Sequence, residues 1–231
     1  MVTMEQLYDK NVNCPLCSTK FFTKQVRTKA LRLIKQDKDF MPHYQGENPI
    51  KYIVFVCPNC GYAATEEKFD FVYGWEKEKI LKEVSSKWRK RSYGGIRTLD
   101  EAIDTCKLAL YVGQLLEESK LYLGSIALNT AWLYRLKEDK DEERRFLNIA
   151  RKLYEEAYYK EDLLGSNMDE FKLAYLIGEL NRRLGEVENA IKWFNIVVSK
   201  PNSNLNPTVR KLAVEQWRLA KEGWSNECKV L

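Results

Sequence analysis

Apolar residues change their spacing near residue 75. Before it they come in short runs. Ile50–Val56 is compact, rich in β-branched residues and stops at Cys57-Pro58, which predicts a strand. Phe21–Ile34 mixes aromatic, β-branched and basic residues and predicts a strand or a pair of strands. Asp37–Pro49 contains Pro42, Gly46 and Asn48-Pro49 and reads as a loop, and residues 1–13 as a short lead-in.

From Trp75 onward the spacing is helical. Trp75–Arg91 places apolar residues at 75, 80, 81, 84 and 88, and Gly94-Gly95 interrupts it. Thr98-Leu-Asp-Glu101 is a capping box, in which the Thr hydroxyl accepts from the Glu101 N–H while Glu101 reaches back. It should open a helix running to about Glu118. Further helices are expected over Leu121–Lys137, Asp141–Lys160, Asp169–Leu184, Glu186–Ser199 and Pro207–Trp224. Asn167 is placed to cap the Asp169 helix, Gly185 to end it, and Asn206-Pro207 to start the last.

These helices repeat a small, bulky, small pattern. Ala102, Cys106 and Ala109 carry it, then Ala150, Tyr154 and Ala157, then Ala190, Phe194 and Val197. Phe171–Asn204 fits a tetratricopeptide pattern through Ile177-Gly178, Gly185, Ala190, Phe194 and Pro201. Asn181 stands where that pattern has Tyr. The Ala102-to-Ala150 and Ala150-to-Ala190 intervals exceed the usual spacing of roughly 34 residues, so longer helices or loops are expected, with Lys137–Arg145 as the insertion. An irregular helical bundle is the plainer alternative.

The most specific chemistry lies in the first part. Cys14-Pro-Leu-Cys17 and Cys57-Pro-Asn-Cys60 supply four thiols in two C-x-x-C pairs, a full tetrahedral shell for a structural zinc ion. Gly61 suits the positive-φ turn after the second pair, and Ser18 suits it less well after the first. So small a sheet buries little on its own, and metal binding would supply its folding energy. His43, the sole histidine, reads as a loop residue beside Tyr44, since four cysteines already close the shell. Cys106 sits on an apolar helical face and reads as core; Cys228 in the tail has no assigned role.

Charge is uneven. The first 100 residues carry 18 Lys and Arg against 12 Asp and Glu; the remainder carry 20 against 21. Lys20, Lys24, Arg27, Lys29, Arg32, Lys35 and Lys38 form a candidate basic stripe, which keeps nucleic-acid contact open alongside a plain solvated face. The N-terminus lacks a basic-then-apolar signal design, and the run Ile53–Val56 is too short to cross a bilayer. With zinc-spaced cysteines, this points to a reducing cytoplasm.

No Walker loop, G-x-G-x-x-G or H-E-x-x-H occurs, and one histidine supports no catalytic triad, so no enzyme is expected. Glu179, Arg182 and Arg183 share one side of a helix and pair within it on the ordinary reading. If the repeats stack, the first helix of each pair lines a concave face. That register aims Lys172, Tyr175 and Arg182 inward, with Arg135 one repeat earlier, as partner-binding residues for an acidic or C-terminal segment. Arg182 is favoured over Arg183, about 100° further round the helix.

Several stretches also carry a family resemblance: the first cysteine pair, Asn48–Ala64, Arg97–Ala102, Lys107–Tyr111, Ala131–Arg135 and Tyr175–Gly185. Through them nearly the whole chain resembles a bacterial family, mainly of Firmicutes, named domain of unknown function 2225. The resemblance implies a zinc-ribbon-like start and a tetratricopeptide-like body, and implies no activity.

The resulting expectation is a mainly α protein, with a small β zinc ribbon over 1–73 and a tetratricopeptide-like body over 74–231. Its function would be a cytoplasmic, non-enzymatic scaffold that binds a protein or peptide, with no membrane segment. A zinc-ribbon nucleic-acid-binding regulator is the main competitor; a thiol-redox or metal-sensing protein is the third reading.

Overall fold

The computed structural model describes residues 6–163, 168–199 and 206–227, with side chains to Glu222. Three two-stranded antiparallel hairpins come first. They are β1 (Leu7–Asn13) with β2 (Lys20–Val26), β3 (Leu33–Gln36) with β4 (Pro42–Tyr44), and β5 (Val54–Val56) with β6 (Ala63–Thr65). Seven α-helices follow among the described residues: α1 (Gly74–Glu83), α2 (Leu99–Leu115), α3 (Lys120–Leu136), α4 (Lys140–Lys160), α5 (Glu170–Leu184), α6 (Val187–Val198) and α7 (Pro207–Glu227). None of the described helices is long and apolar enough to cross a membrane.

The caps explain why these helices begin and end where they do. Thr98 N–H donates to Glu101 Oε2 at 2.8 Å while Glu101 N–H donates to Thr98 Oγ1 at 3.2 Å, closing the box at the start of α2. Asn206 Oδ1 accepts from Thr208 N–H at the start of α7, and Gly185 turns left-handed, φ 85°, after α5. Asp169 Oδ1 caps α5 by accepting from Phe171 and Lys172 N–H. Asn167, expected in that role, lies outside the described residues, as do Pro201 and Cys228.

The first residues differ from the reading as a lead-in. Leu7–Asn13 pairs with Lys20–Val26 in continuous register, from Leu7 opposite Val26 to Asn13 opposite Lys20. The expected strand Ile50–Val56 is shorter. Asn48 Oδ1 accepts from Ile50 N–H, Pro49–Tyr52 winds into a 3-10 turn, and only Val54–Val56 is extended. Pro42–Tyr44, inside the expected loop, is a strand. The helix expected to reach Arg91 stops at Glu83, and the chain is extended again at Trp88.

The chain divides into two compact units. The first comprises Met1–Gln36, Pro42–Glu118 and Ser125–Phe146; the second comprises Asp37–Met41, Ser119–Gly124 and Leu147–Leu231. Within the first unit α2 packs on β5 and β6. In the first unit Phe69 is an aromatic hub, with ring centroids 6.0 Å from Phe21, 5.7 Å from Phe55 and 4.9 Å from Tyr62. Arg97, just ahead of α2, is buried. Its guanidinium donates to Tyr93 O, Lys51 O, Thr105 Oγ1 and Thr23 Oγ1, tying α2 to β2 and to the 3-10 turn.

In the second unit the same contact occurs twice. Gly124 of α3 lies against the Tyr154 ring of α4, and Gly178 of α5 against the Phe194 ring of α6; a Cβ on either glycine would sit 2.6 or 2.7 Å from ring carbons. A ring can seat there only because the facing position has no side chain. Gly178→Ala should therefore lower stability by roughly 1–3 kcal/mol through overpacking, despite alanine's better helix propensity. An unchanged urea midpoint would show that this helix pair parts without cost.

Candidate metal centre

The two cysteine pairs sit at the tips of two hairpins with one backbone design. In the first, β1–β2, Ser18 N–H donates to Cys14 O at 2.9 Å and Cys14 N–H to Thr19 O at 3.0 Å. In the second, β5–β6, Gly61 N–H donates to Cys57 O and Cys57 N–H to Tyr62 O, both at 2.9 Å. The residue after each pair is left-handed, Ser18 at φ 57° and Gly61 at φ 75°. Serine thus takes the conformation that it was expected to suit less well than glycine. At residue 61 glycine has a second reason: a Cβ there would lie 2.5 Å from the Trp88 ring. Trp88 covers this knuckle and donates its indole N–H to Pro58 O at 3.0 Å, while Arg91 stacks on it. As a periodic apolar position Trp88 looked like an ordinary helix residue.

The hairpins bring Cys14, Cys17, Cys57 and Cys60 together, their sulfurs all within 4.8 Å of one another. Cys14 Sγ is 3.6 Å from Cys60 Sγ, and Cys17 Sγ is 3.5 Å from Cys57 Sγ. A disulfide would need about 2.05 Å. A tetrahedron with metal–sulfur bonds of about 2.3 Å has edges of about 3.8 Å, close to what is seen. The backbone N–H groups of Leu16 and Cys17 aim at Cys14 sulfur, and those of Asn59 and Cys60 at Cys57 sulfur. Both stabilise thiolate. Among themselves the thiols ionise in turn rather than together. Hydrogen bonds from Cys14 and then Cys60 pull Cys57 down to about 2, while its bond to Cys57 pushes Cys14 up to about 12. Cys60 is pushed up as well, first by Cys14. A cation is what allows all four to carry charge at once, so the donor set fits a metal.

Cys106 stands apart from this cluster and is fully buried, and burial pushes its thiol up to about 12. His43 lies on β4 opposite Lys35 and is not in the metal-competent group. In the basic stripe, Lys24 pairs with Asp9 at 2.8 Å and Lys38 with Glu215 at 2.9 Å, while Arg27, Lys29, Arg32 and Lys35 are exposed.

The four residues expected to bind a partner fall in both units. Arg135 belongs to the first unit, with its Nε 2.7 Å from Glu143 Oε1. Lys172, Tyr175 and Arg182 belong to the second. There α5 is buried without a break from Leu173 to Asn181, Tyr175 included. The cover on Tyr175 includes the chain's own Asp37–Met41. Tyr175 hydroxyl donates to Lys38 O at 2.8 Å, its ring lies 5.4 Å from Phe40, and Lys172 Nζ sits 5.7 Å from the Phe40 ring centre. Arg182 grips the buried Glu179 with Nε and Nη2, at 2.7 and 2.8 Å. Arg183, which the helical register set aside, bonds Glu179 and also reaches Asp39 at 3.3 Å. No local signal linked Asp39 and Phe40 to partners so far along the chain.

Comparison with known proteins adds family but not activity. The family described as "Uncharacterized protein conserved in bacteria (DUF2225)" matches residues 7–220. An uncharacterized protein of Borreliella burgdorferi is similar, 25% identical over 171 residues, which are 65% of this chain and 60% of that protein. The chain thus spans less than two thirds of that relative's length. No solved structure matches.

Proposed function

The chain belongs to the DUF2225 family of bacterial proteins, and on that footing we propose that it is a cytoplasmic, non-enzymatic interaction scaffold. Zinc held by Cys14, Cys17, Cys57 and Cys60 would clamp its two knuckle hairpins, and a tetratricopeptide-like body would bind a partner protein. The all-sulfur, closed donor set favours zinc as a structural ion, with no open position for catalysis. The twice-used seating of an aromatic ring on a helical glycine, Tyr154 on Gly124 and Phe194 on Gly178, supports the repeat reading.

One observation carries the binding role. The α5 face holds a turn of the chain, Asp37–Met41, through side chains that contact its backbone, its acid and its aromatic ring. A helical face that grips a peptide segment in this way is equipped to grip a partner's.

Affinity capture from cell extract with the full chain tests it. Lys172→Ala/Arg182→Ala should lose most of the proteins retained by the native chain, and the difference should shrink as salt rises. Arg183 still pairs with Glu179 in that variant, so its melting should remain close to native; a matching melt is the control. Equal capture by both proteins at every salt concentration would reject the scaffold reading.

A further inference from the structure

The segment Asp37–Met41 is bound residue by residue, as a ligand is. Lys38 Nζ lies 2.9 Å from both carboxylate oxygens of Glu215 on α7, and its carbonyl takes the Tyr175 hydroxyl. The Asp39 carboxylate has no exposure and lies 3.3 Å from Arg183. Phe40 lies between Tyr175 and Lys172, and Met41 is fully buried. The turn is closed on itself, with Asp37 N–H donating to Met41 O at 2.8 Å and Phe40 N–H to Asp37 O at 3.0 Å. Phe40 takes a left-handed φ of 70°, rare for a bulky residue and kept only where surroundings over-determine it.

Every residue of β3 is exposed, with Leu33 at 57% and Ile34 at 68%, and among the described residues its ladder partner is β4. A two-stranded hairpin by itself is marginal in water, so contacts at the tip add to what holds the turn.

We propose that the face of α5 and α7 is a receptor for a basic–acidic–aromatic turn, that Asp37–Met41 fills it in cis, and that a partner presents a turn of the same chemistry and displaces the loop. This rests on the scaffold reading and names the partner's chemistry. Recognition has three parts. Arg183, oriented by Glu179, takes the acid; Tyr175 and Lys172 take the ring; Glu215 takes the leading cation. The cis loop sets a threshold, since a partner gains only the difference between its own fit and that of the loop.

The test uses a labelled peptide of residues 33–44 as the probe and the full chain as receptor. Asp39→Ala/Phe40→Ala in the chain should empty the face, and the peptide should bind this variant at least about tenfold tighter than the native chain, a gap of about 1.4 kcal/mol. A peptide with the same two replacements should bind neither. If the double variant loses its helical circular dichroism, Asp39→Asn alone serves, with the same order of affinities expected. Equal or undetectable binding of the peptide to native and variant chains, both folded, overturns the proposal. A variant that dimerises with native chain yet ignores the peptide overturns it too, because the face then takes only a second copy. Failure here with capture still sensitive to Lys172 and Arg182 leaves the scaffold reading standing; insensitive capture rejects that reading whatever the peptide does.

Discussion

Cys57→Ser is expected to strip the purified chain of the zinc proposed for this site and to open the two knuckle hairpins, while most of the helical circular dichroism survives. Cys57 is buried, and its sulfur is within 4.8 Å of the other three. Serine keeps the volume but replaces a strong thiolate donor with a hydroxyl that stays protonated. Structural zinc sites carry roughly 10–16 kcal/mol of apparent binding free energy, and binding is coupled to folding. The β5–β6 ladder is three residues long on each side; its strands also pack on α2, so the loss falls first on the knuckle at its tip. Loss should appear as metal content well below one zinc per chain and as faster amide exchange over Leu7–Val26 and Val54–Thr65. Cys106→Ala is the control and should keep its metal, because Cys106 lies outside the cluster. Native protein with little zinc, or with unchanged exchange after chelation, would contradict the assignment.

Arg97→Met should cost the fold about 2–5 kcal/mol through buried acceptors left without a donor, a large share of a typical domain's stability. The guanidinium is almost wholly buried and meets no carboxylate directly. Instead it gives Nε–H to Tyr93 O at 2.9 Å, Nη1–H to Lys51 O at 2.9 Å and to Thr105 Oγ1 at 3.4 Å, and Nη2–H to Thr23 Oγ1 at 3.2 Å. Its cation also faces the Tyr52 ring, whose hydroxyl donates to buried Glu47. Burial lowers the pKa of Arg97, yet a guanidinium remains protonated throughout the usable range. Methionine fills similar space but leaves those acceptors unsatisfied, each costing about 1–3 kcal/mol. Arg97→Lys should rescue little, since one ammonium cannot span acceptors that a planar fork reaches together. The urea midpoint checks both variants. If Arg97→Lys were as stable as native, charge rather than the fork would be what α2 needs.

Sequence made α2 to α7 legible because each helix advertises itself locally. Thr98 and Glu101, Gly185, and Asn206-Pro207 are caps written within a few residues, and the apolar spacing supplies the rest. The four cysteines were equally plain, since their chemistry is in the spacing. What stayed hidden depends on partners remote in sequence. Leu7–Asn13 has only Leu7 buried and earns its strand from the ladder with β2, not from its own composition. Trp88 became a lid over Gly61 because the helix ended early. Arg97 looked like one residue of a motif; its four acceptors are drawn from positions 23, 51, 93 and 105. Lys172, Tyr175 and Arg182 were expected to face a partner; that Lys38 and Phe40 of the same chain pack on Tyr175 and Lys172 was not, because nothing near Phe40 points to α5.

The placement of Asp37–Met41 also has a consequence for biosynthesis. Lys38 and its partner Glu215 are 177 residues apart, and Tyr175 lies 137 residues beyond Lys38. At about 5–20 residues per second, a ribosome needs roughly 10–35 s to make Glu215 after Lys38. During that interval the turn leaves the exit tunnel with Phe40 and Met41 lacking the helices that later cover them. Both cysteine knuckles, complete at Cys60, could close on a metal long before. A nascent chain halted ahead of α5 could then hold a metal yet would display an uncovered aromatic turn, the kind of surface that chaperones and proteases read as unfinished.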